Sequence, residues 1–217
     1  MIKLLFLNKY YKFIEIVFIG LIIPSIILLN RLADNIILIL WFITSYTFII
    51  FYYFHKKDRI LNILKFSSFT KNNLSIIFIR WFFLSFVIFL ITFYFYNDKL
   101  FIIQKETPYL LIIIFLVYPI LSALPQEFIF TTFFFSRYKD LISEKYIIYM
   151  SALLFMFAHV LFINFIAPFL SIFGGIIFAR TYKKTGSLAL VTFEHALYGN
   201  TLFFMGLGYY FWGGSVN

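Results

Sequence analysis

The chain has 217 residues, of which 63% are hydrophobic, 24% aromatic and 12% charged. A soluble domain is about a quarter charged and about half apolar, so this composition excludes an ordinary cytosolic enzyme, a disordered tail and a nucleic-acid module. It predicts an all-α polytopic membrane bundle; with no cysteine in the chain, disulfide frameworks, thiol catalysis and cysteine metal sites are excluded as well.

A helical span needs roughly 20 apolar residues. In chain order, apolar stretches predict spans near 13–29, 35–54, 75–96, 109–136, 146–161, 163–180 and 187–204. The Gly- and aromatic-rich stretch 205–212 either extends the last span or forms an eighth helix, so seven or eight transmembrane helices are expected. The strict alternation of barrel strands is missing. The first span is too long, and too poor in small residues at its end, to read as a cleaved signal.

The net charge of +9 reads as topology, because Lys and Arg gather on the cytoplasmic side of membrane proteins. With these spans, alternate compartments hold 14 and 3 basic residues, and Arg80 is the eighteenth, inside a span. The larger set includes Lys3, Lys9, Lys12, Lys56, Lys57, Arg59, Arg137 and Lys183, which predicts a cytoplasmic N-terminus. The expected location is a bacterial cytoplasmic membrane, with the lipid bilayer and a peptide or membrane protein as partners and no nucleic acid. Residues 1–108 read as N-terminal transmembrane helices and 109–217 as the functional helical core of one integrated domain.

Ionisable residues at mid-span are functional-site candidates by default. Those here are Arg80, Glu127, His159, Glu194 and His195. Arg80 is about 8 Å into its span and reads as a snorkelling side chain, with Glu15 as the alternative partner. Arg137 reads as a cytoplasmic anchor, His55 as a solvated loop histidine, and Glu194 as a spare carboxylate facing another helix. Glu127, His159 and His195 lie roughly 12–20 Å from the same side on three different spans. Buried polar groups in lipid must find partners, and the simplest solution brings these three together. Two His and one Glu can bind Zn²⁺ and leave a position for water, or activate water without metal; either route gives hydrolysis. A proton-relay transporter could use the same residue types, but no internal repeat supports it. Pro125 predicts a kink or restart that puts Glu127 near a helix N-terminus, and Phe155 reads as packing on the face of His159.

Three segments, Gln126-Glu127-Phe128-Ile129-Phe130-Thr131, Phe155-Met156-Phe157-Ala158-His159 and His195-Ala196-Leu197-Tyr198-Gly199-Asn200, resemble the CPBP family of intramembrane proteases (CAAX proteases and bacteriocin-processing enzymes, also called Abi). That family carries Glu-Glu-x-x-x-Arg, Phe-x-x-x-His and His-x-x-x-Asn/Asp in this order on separate helices. Ser187-Leu188 opening the last helix adds to the likeness, which covers about residues 109–204.

The resemblance implies an intramembrane endopeptidase with Glu127, Gln126, His159, His195 and Asn200 as catalytic residues. Glu127 would activate water with Gln126 positioning it, His159 would orient water, and His195 and Asn200 would hold the oxyanion. Glu127, His159 and His195 would be the ligands if the enzyme is a Zn²⁺ metalloprotease. The chain departs from the pattern at Gln126, at Thr131 in place of Arg, and at Asn200, which falls one residue late with Gly199 at the expected place. Gln cannot deprotonate water. The alternative is therefore a catalytically degenerate relative acting as an immunity or regulatory binding factor.

Overall fold

The computed structural model describes residues 6–55 and 62–213, which contain eight helices. They are α1 (Lys9–Leu29), α2 (Ile36–Phe54), α3 (Lys71–Phe95), α4 (Ile102–Glu106), α5 (Pro108–Tyr138), α6 (Ile147–Phe157), α7 (Ile166–Thr185) and α8 (Leu188–Met205). The described residues contain no strand. Lys3, Lys56, Lys57 and Arg59 of the basic count lie outside them.

α1, α2, α3 and α5 are long and apolar enough to cross a membrane. Among the described residues these four are the helices with the length and composition of a span; the apolar stretch Ile147–Phe162 is shorter, and the seven or eight spans expected are not confirmed. Large apolar side chains cover the outer surface, including Phe42 at 79% and Phe95 at 77% exposure. In water that surface would drive aggregation; against acyl chains it has no such cost. The protein is an integral membrane protein.

The core joins both ends of the chain. Leu40 and Phe51 of α2 share one cluster with Phe128, Phe133, Phe155, Phe178 and Tyr198. Small residues let α6 and α7 approach closely: a Cβ at Gly175 would lie 2.9 Å from the Ala152 Cα. Gly186, at φ +63°, ends α7 with its N–H on the Tyr182 carbonyl, while Lys65 Nζ donates to the carbonyl of Thr185 at 2.6 Å. Ser187 then caps α8, accepting from the Leu190 N–H and donating to the Leu64 carbonyl.

α5 is continuous through Pro125, so of the kink or restart expected there the restart does not occur. Instead, π-helical turns at Pro119–Ala123 and Phe128–Phe133 flank a short α-helical stretch, Leu124–Glu127. Proline lacks an N–H, so the helix cannot satisfy the carbonyl four residues earlier. For Pro125 that carbonyl is Leu121, and the Trp41 indole of α2 donates to it at 3.1 Å. A cross-helix donor thus replaces the missing bond without breaking the helix, and Glu127 lies mid-helix, not at an N-terminus.

Three other expectations change for one reason: a charge in lipid is cheaper paired than reaching for water. Arg80 does not snorkel, and its partner is not Glu15. Its Nη2 lies 2.8 Å from Glu194 Oε1, and Glu194 also accepts from Thr181 and Tyr198. Glu194 faces another helix as expected and ties α3, α7 and α8 together. Arg137 is no exposed anchor: it is buried, with Nε 2.7 Å from Glu15 Oε2. His55 is not a loosely solvated loop residue: it is half-buried, stacked on Phe51 and hydrogen-bonded to Ser136 at 2.9 Å.

Candidate active site

Three helices bring the site together. The π-helical turn after Tyr118 and the stretch Leu124–Glu127 direct successive side chains of α5 to different sides, about 100° apart. Gln126 lines a cavity of about 780 Å³ together with Tyr118, Ser122, His159, His195 and Gly199. Glu127 is not part of that lining and is 1% exposed. Its Oε1 lies 2.8 Å from His195 Nδ1, so the carboxylate stands behind the imidazole.

His159 sits two residues past the end of α6, where the chain leaves the helix. Its Nδ1 is 2.7 Å from the Phe155 carbonyl. A carbonyl only accepts, so Nδ1 carries the hydrogen and the neutral ring has its lone pair on Nε2. The Phe155 ring packs against both imidazoles, at 4.6 Å from His159 and 5.6 Å from His195 between ring centres. Phe155 therefore packs, as expected, and its carbonyl also fixes the His159 tautomer. Phe178 stacks on His195 at 4.5 Å and 15°, which sets the plane of that ring.

The other sequence candidates are placed differently. Gln126 donates from Nε2 to Ser122 Oγ at 2.8 Å, and its Oε1 is buried without a hydrogen-bond partner. Asn200 is not in the cavity lining, although both its neighbours, Gly199 and Thr201, are. α8 is regular through this region, so the one-residue offset from the motif turns the amide off the His195 face. Thr131, at the motif Arg position, donates its hydroxyl to the Glu127 backbone carbonyl. Glu127 Oε2 has no hydrogen-bond partner.

The residues named for metal were Glu127, His159 and His195. Among the described residues no three His, Asp or Glu side chains are grouped so as to hold an ion. The His195 Nδ1 is engaged by Glu127, and the His159 Nδ1 by a backbone carbonyl. Engaged Nδ1 atoms leave each imidazole its Nε2 as the metal-facing atom. With no third His, Asp or Glu grouped with them among the described residues, the donor set falls short of the three ligands of a catalytic Zn²⁺ site, and no step below runs through a metal.

Sequence reasoning missed Tyr118. Its hydroxyl lies 2.9 Å from His195 Nε2, completing a Tyr118–His195–Glu127 chain of hydrogen bonds. No motif includes Tyr118; the only signal was the glycine at 199.

Apart from these polar groups the cavity is apolar, lined by residues such as Leu84, Ile88, Ile114, Leu170 and Phe203. Val87, Ile113, Val117 and Phe173 line it and are also 40–53% exposed on the lateral surface. The cavity is thereby continuous with the face the bundle turns to lipid. An intramembrane cavity with two imidazoles, one backed by a carboxylate, has the groups for acid–base chemistry on a bound apolar segment.

Residues 108–201 match the family model described as type II CAAX prenyl endopeptidase Rce1-like. That stretch runs from the start of α5 to within α8 and contains all three motif segments, so the likeness to CPBP and CAAX proteases holds over the part of the chain that builds the site. No curated protein and no solved structure gives a significant match to the chain.

Proposed function

We propose that the protein is a CAAX-type intramembrane endopeptidase that hydrolyses a peptide bond held in the 780 Å³ cavity. The observation that carries this reading is the pair of imidazoles facing one cavity, with Glu127 behind His195. In this reading the roles differ from those the motif resemblance implies. Glu127 does not face the cavity, so the base that takes the proton from water is His159 Nε2, whose lone pair is fixed by the Nδ1 bond to Phe155. The hydroxide adds to the peptide carbonyl carbon, and the carbonyl π electrons move to oxygen. Glu127 holds the His195 ring in place, and the His195 side of the cavity stabilises that oxyanion. Protonated His159 then returns its proton to the leaving nitrogen as the C–N bond breaks. Gln126, held by Ser122, positions water with its free Oε1 as acceptor.

The apolar lining and its continuity with the lateral surface suit a substrate whose flanking residues are apolar and that enters from the bilayer. The count of basic residues favours a cytoplasmic N-terminus.

The test is cleavage of membrane-inserted peptides by the purified protein in liposomes. Cleavage by the wild type and its loss in both His159→Ala and His195→Ala is the expected result. An inert wild type that still binds the peptides would replace this reading with that of a binding factor.

A further inference from the structure

The catalytic scheme leaves open which hydrogen reaches the oxyanion. His195 Nε2, the ring nitrogen that Glu127 does not engage, is already in contact with the Tyr118 hydroxyl at 2.9 Å. We propose that Tyr118 is a catalytic residue of this peptidase: its phenolic O–H, set by His195 and admitted by Gly199, is the hydrogen-bond donor to the tetrahedral oxyanion. The proposal rests on the peptidase reading above.

The first support is spatial. A Cβ at Gly199 would lie 2.3 Å from the Tyr118 hydroxyl oxygen and 2.4 Å from the nearest ring carbon. The phenol therefore fills the volume of any side chain one helical turn beyond His195. That volume adjoins the cavity, because Tyr118, His195 and Gly199 all line it. A polar group from α5 stands where α8 offers only hydrogen. Asn200, the nearest amide in the sequence, is not in the lining.

The second support is the placement of hydrogens. Glu127 and His195 are buried at 1% and 5% exposure, and Glu127 has no other ion-pair partner among the described residues. A net charge on an isolated pair at this depth is costly, so the pair is held neutral overall. A carboxylic acid whose Oε1 accepts from Nδ1–H would leave its own O–H on Oε2, which is buried without a partner among the described residues. Two arrangements remain: carboxylate with imidazolium, or carboxylic acid donating from Oε1 to Nδ1 with the proton of the neutral ring on Nε2. Both put a hydrogen on Nε2. It is donated to the Tyr118 oxygen, and the phenolic hydrogen is left to point into the cavity. The hydroxyl is thus polarised from behind and aimed forward, as an oxyanion donor must be. No proton is transferred from Tyr118; the proton balance stays with His159.

The experiment compares wild type, Tyr118→Phe, Gly199→Ala, Tyr118→Ala and Tyr118→Ala/Gly199→Asn in the liposome assay, with kcat and KM measured separately. Loss of one oxyanion donor costs about 10²–10³ in kcat. Tyr118→Phe should lose that much with KM within about threefold, because the ring and its packing remain. Gly199→Ala should show a similar loss with the tyrosine intact, because the methyl group displaces the phenol. Adding Gly199→Asn to Tyr118→Ala should recover at least about tenfold by putting an amide in the vacated volume. A kcat for Tyr118→Phe within about threefold of an active wild type overturns the role of Tyr118 and leaves the peptidase reading standing. A wild type that cleaves nothing overturns the peptidase reading and this role with it.

Discussion

Removing Glu15 should loosen the N-terminal helix from the site-bearing helix α5. Glu15 is 122 residues from Arg137, yet its Oε2 accepts from Arg137 Nε at 2.7 Å and from the Tyr138 hydroxyl at 3.1 Å, while Oε1 accepts from Tyr46 at 3.1 Å. The two charged side chains are only 2% and 6% exposed. The guanidinium also lies 5.4 Å from the Phe54 ring centre, so it has little water to return to. Deleting one partner of such a pair leaves a buried uncompensated charge and costs about 3–5 kcal/mol, whereas replacing both with apolar side chains of similar volume is close to neutral. Glu15→Leu and Arg137→Met should therefore each destabilise by about 3 kcal/mol or more, and the double variant by about 1 kcal/mol or less. Reversible unfolding in mixed detergent micelles, followed by tryptophan fluorescence, gives all three values. Single losses below about 1 kcal/mol, or a double variant whose loss equals the sum of the singles within about 0.5 kcal/mol, would refute a coupled buried pair.

Glu127→Gln should keep the fold but remove the carboxylate behind His195, leaving a neutral ring that polarises the Tyr118 hydroxyl less and lowering kcat by about tenfold or more in steady-state cleavage. Gln126→Glu puts a carboxylate beside the water site, with Ser122 now donating to it, and should raise kcat by about tenfold or more. Trp41→Phe leaves the Leu121 carbonyl without its indole donor and should lower stability by about 1–3 kcal/mol in the same unfolding assay. Beyond the end of α5, Asp140 is partly buried, which alone would raise its pKa, but two hydrogen bonds from Lys12 hold it below the usual aspartate value. A depressed folded-state pKa contributes stability above the unfolded value of about 3.8 that is lost as pH falls through the folded one. Asp140→Asn should thus melt below wild type at pH 7, and the gap should close below about pH 3.8.

Composition and hydropathy were enough to read a helical membrane protein, because lipid-facing helices need apolar residues on most sides and so announce themselves. The same signal does not separate the last spans: α6 and α7 line the cavity, and a buried apolar helix resembles a spanning one in sequence. The three motif segments each contribute to one cavity, since polar groups in lipid have few alternatives to meeting one another. Which of Gln126 and Glu127 faces the cavity was not legible, because it depends on π-helical turns that shift the phase of α5. The partners of Arg80 and Arg137 were not legible either, as both pairings join residues more than a hundred positions apart. Tyr118 was hidden by its distance of 77 positions from His195, although Gly199 marked the space it fills.

The measurement closest to the central claim is cleavage of one membrane peptide in liposomes prepared in oxygen-labelled water, by wild type and His159→Ala. The account predicts a single new C-terminus carrying one labelled oxygen in the wild-type product and no product from the variant. No cleavage by folded wild type, or equal cleavage by His159→Ala, would contradict it.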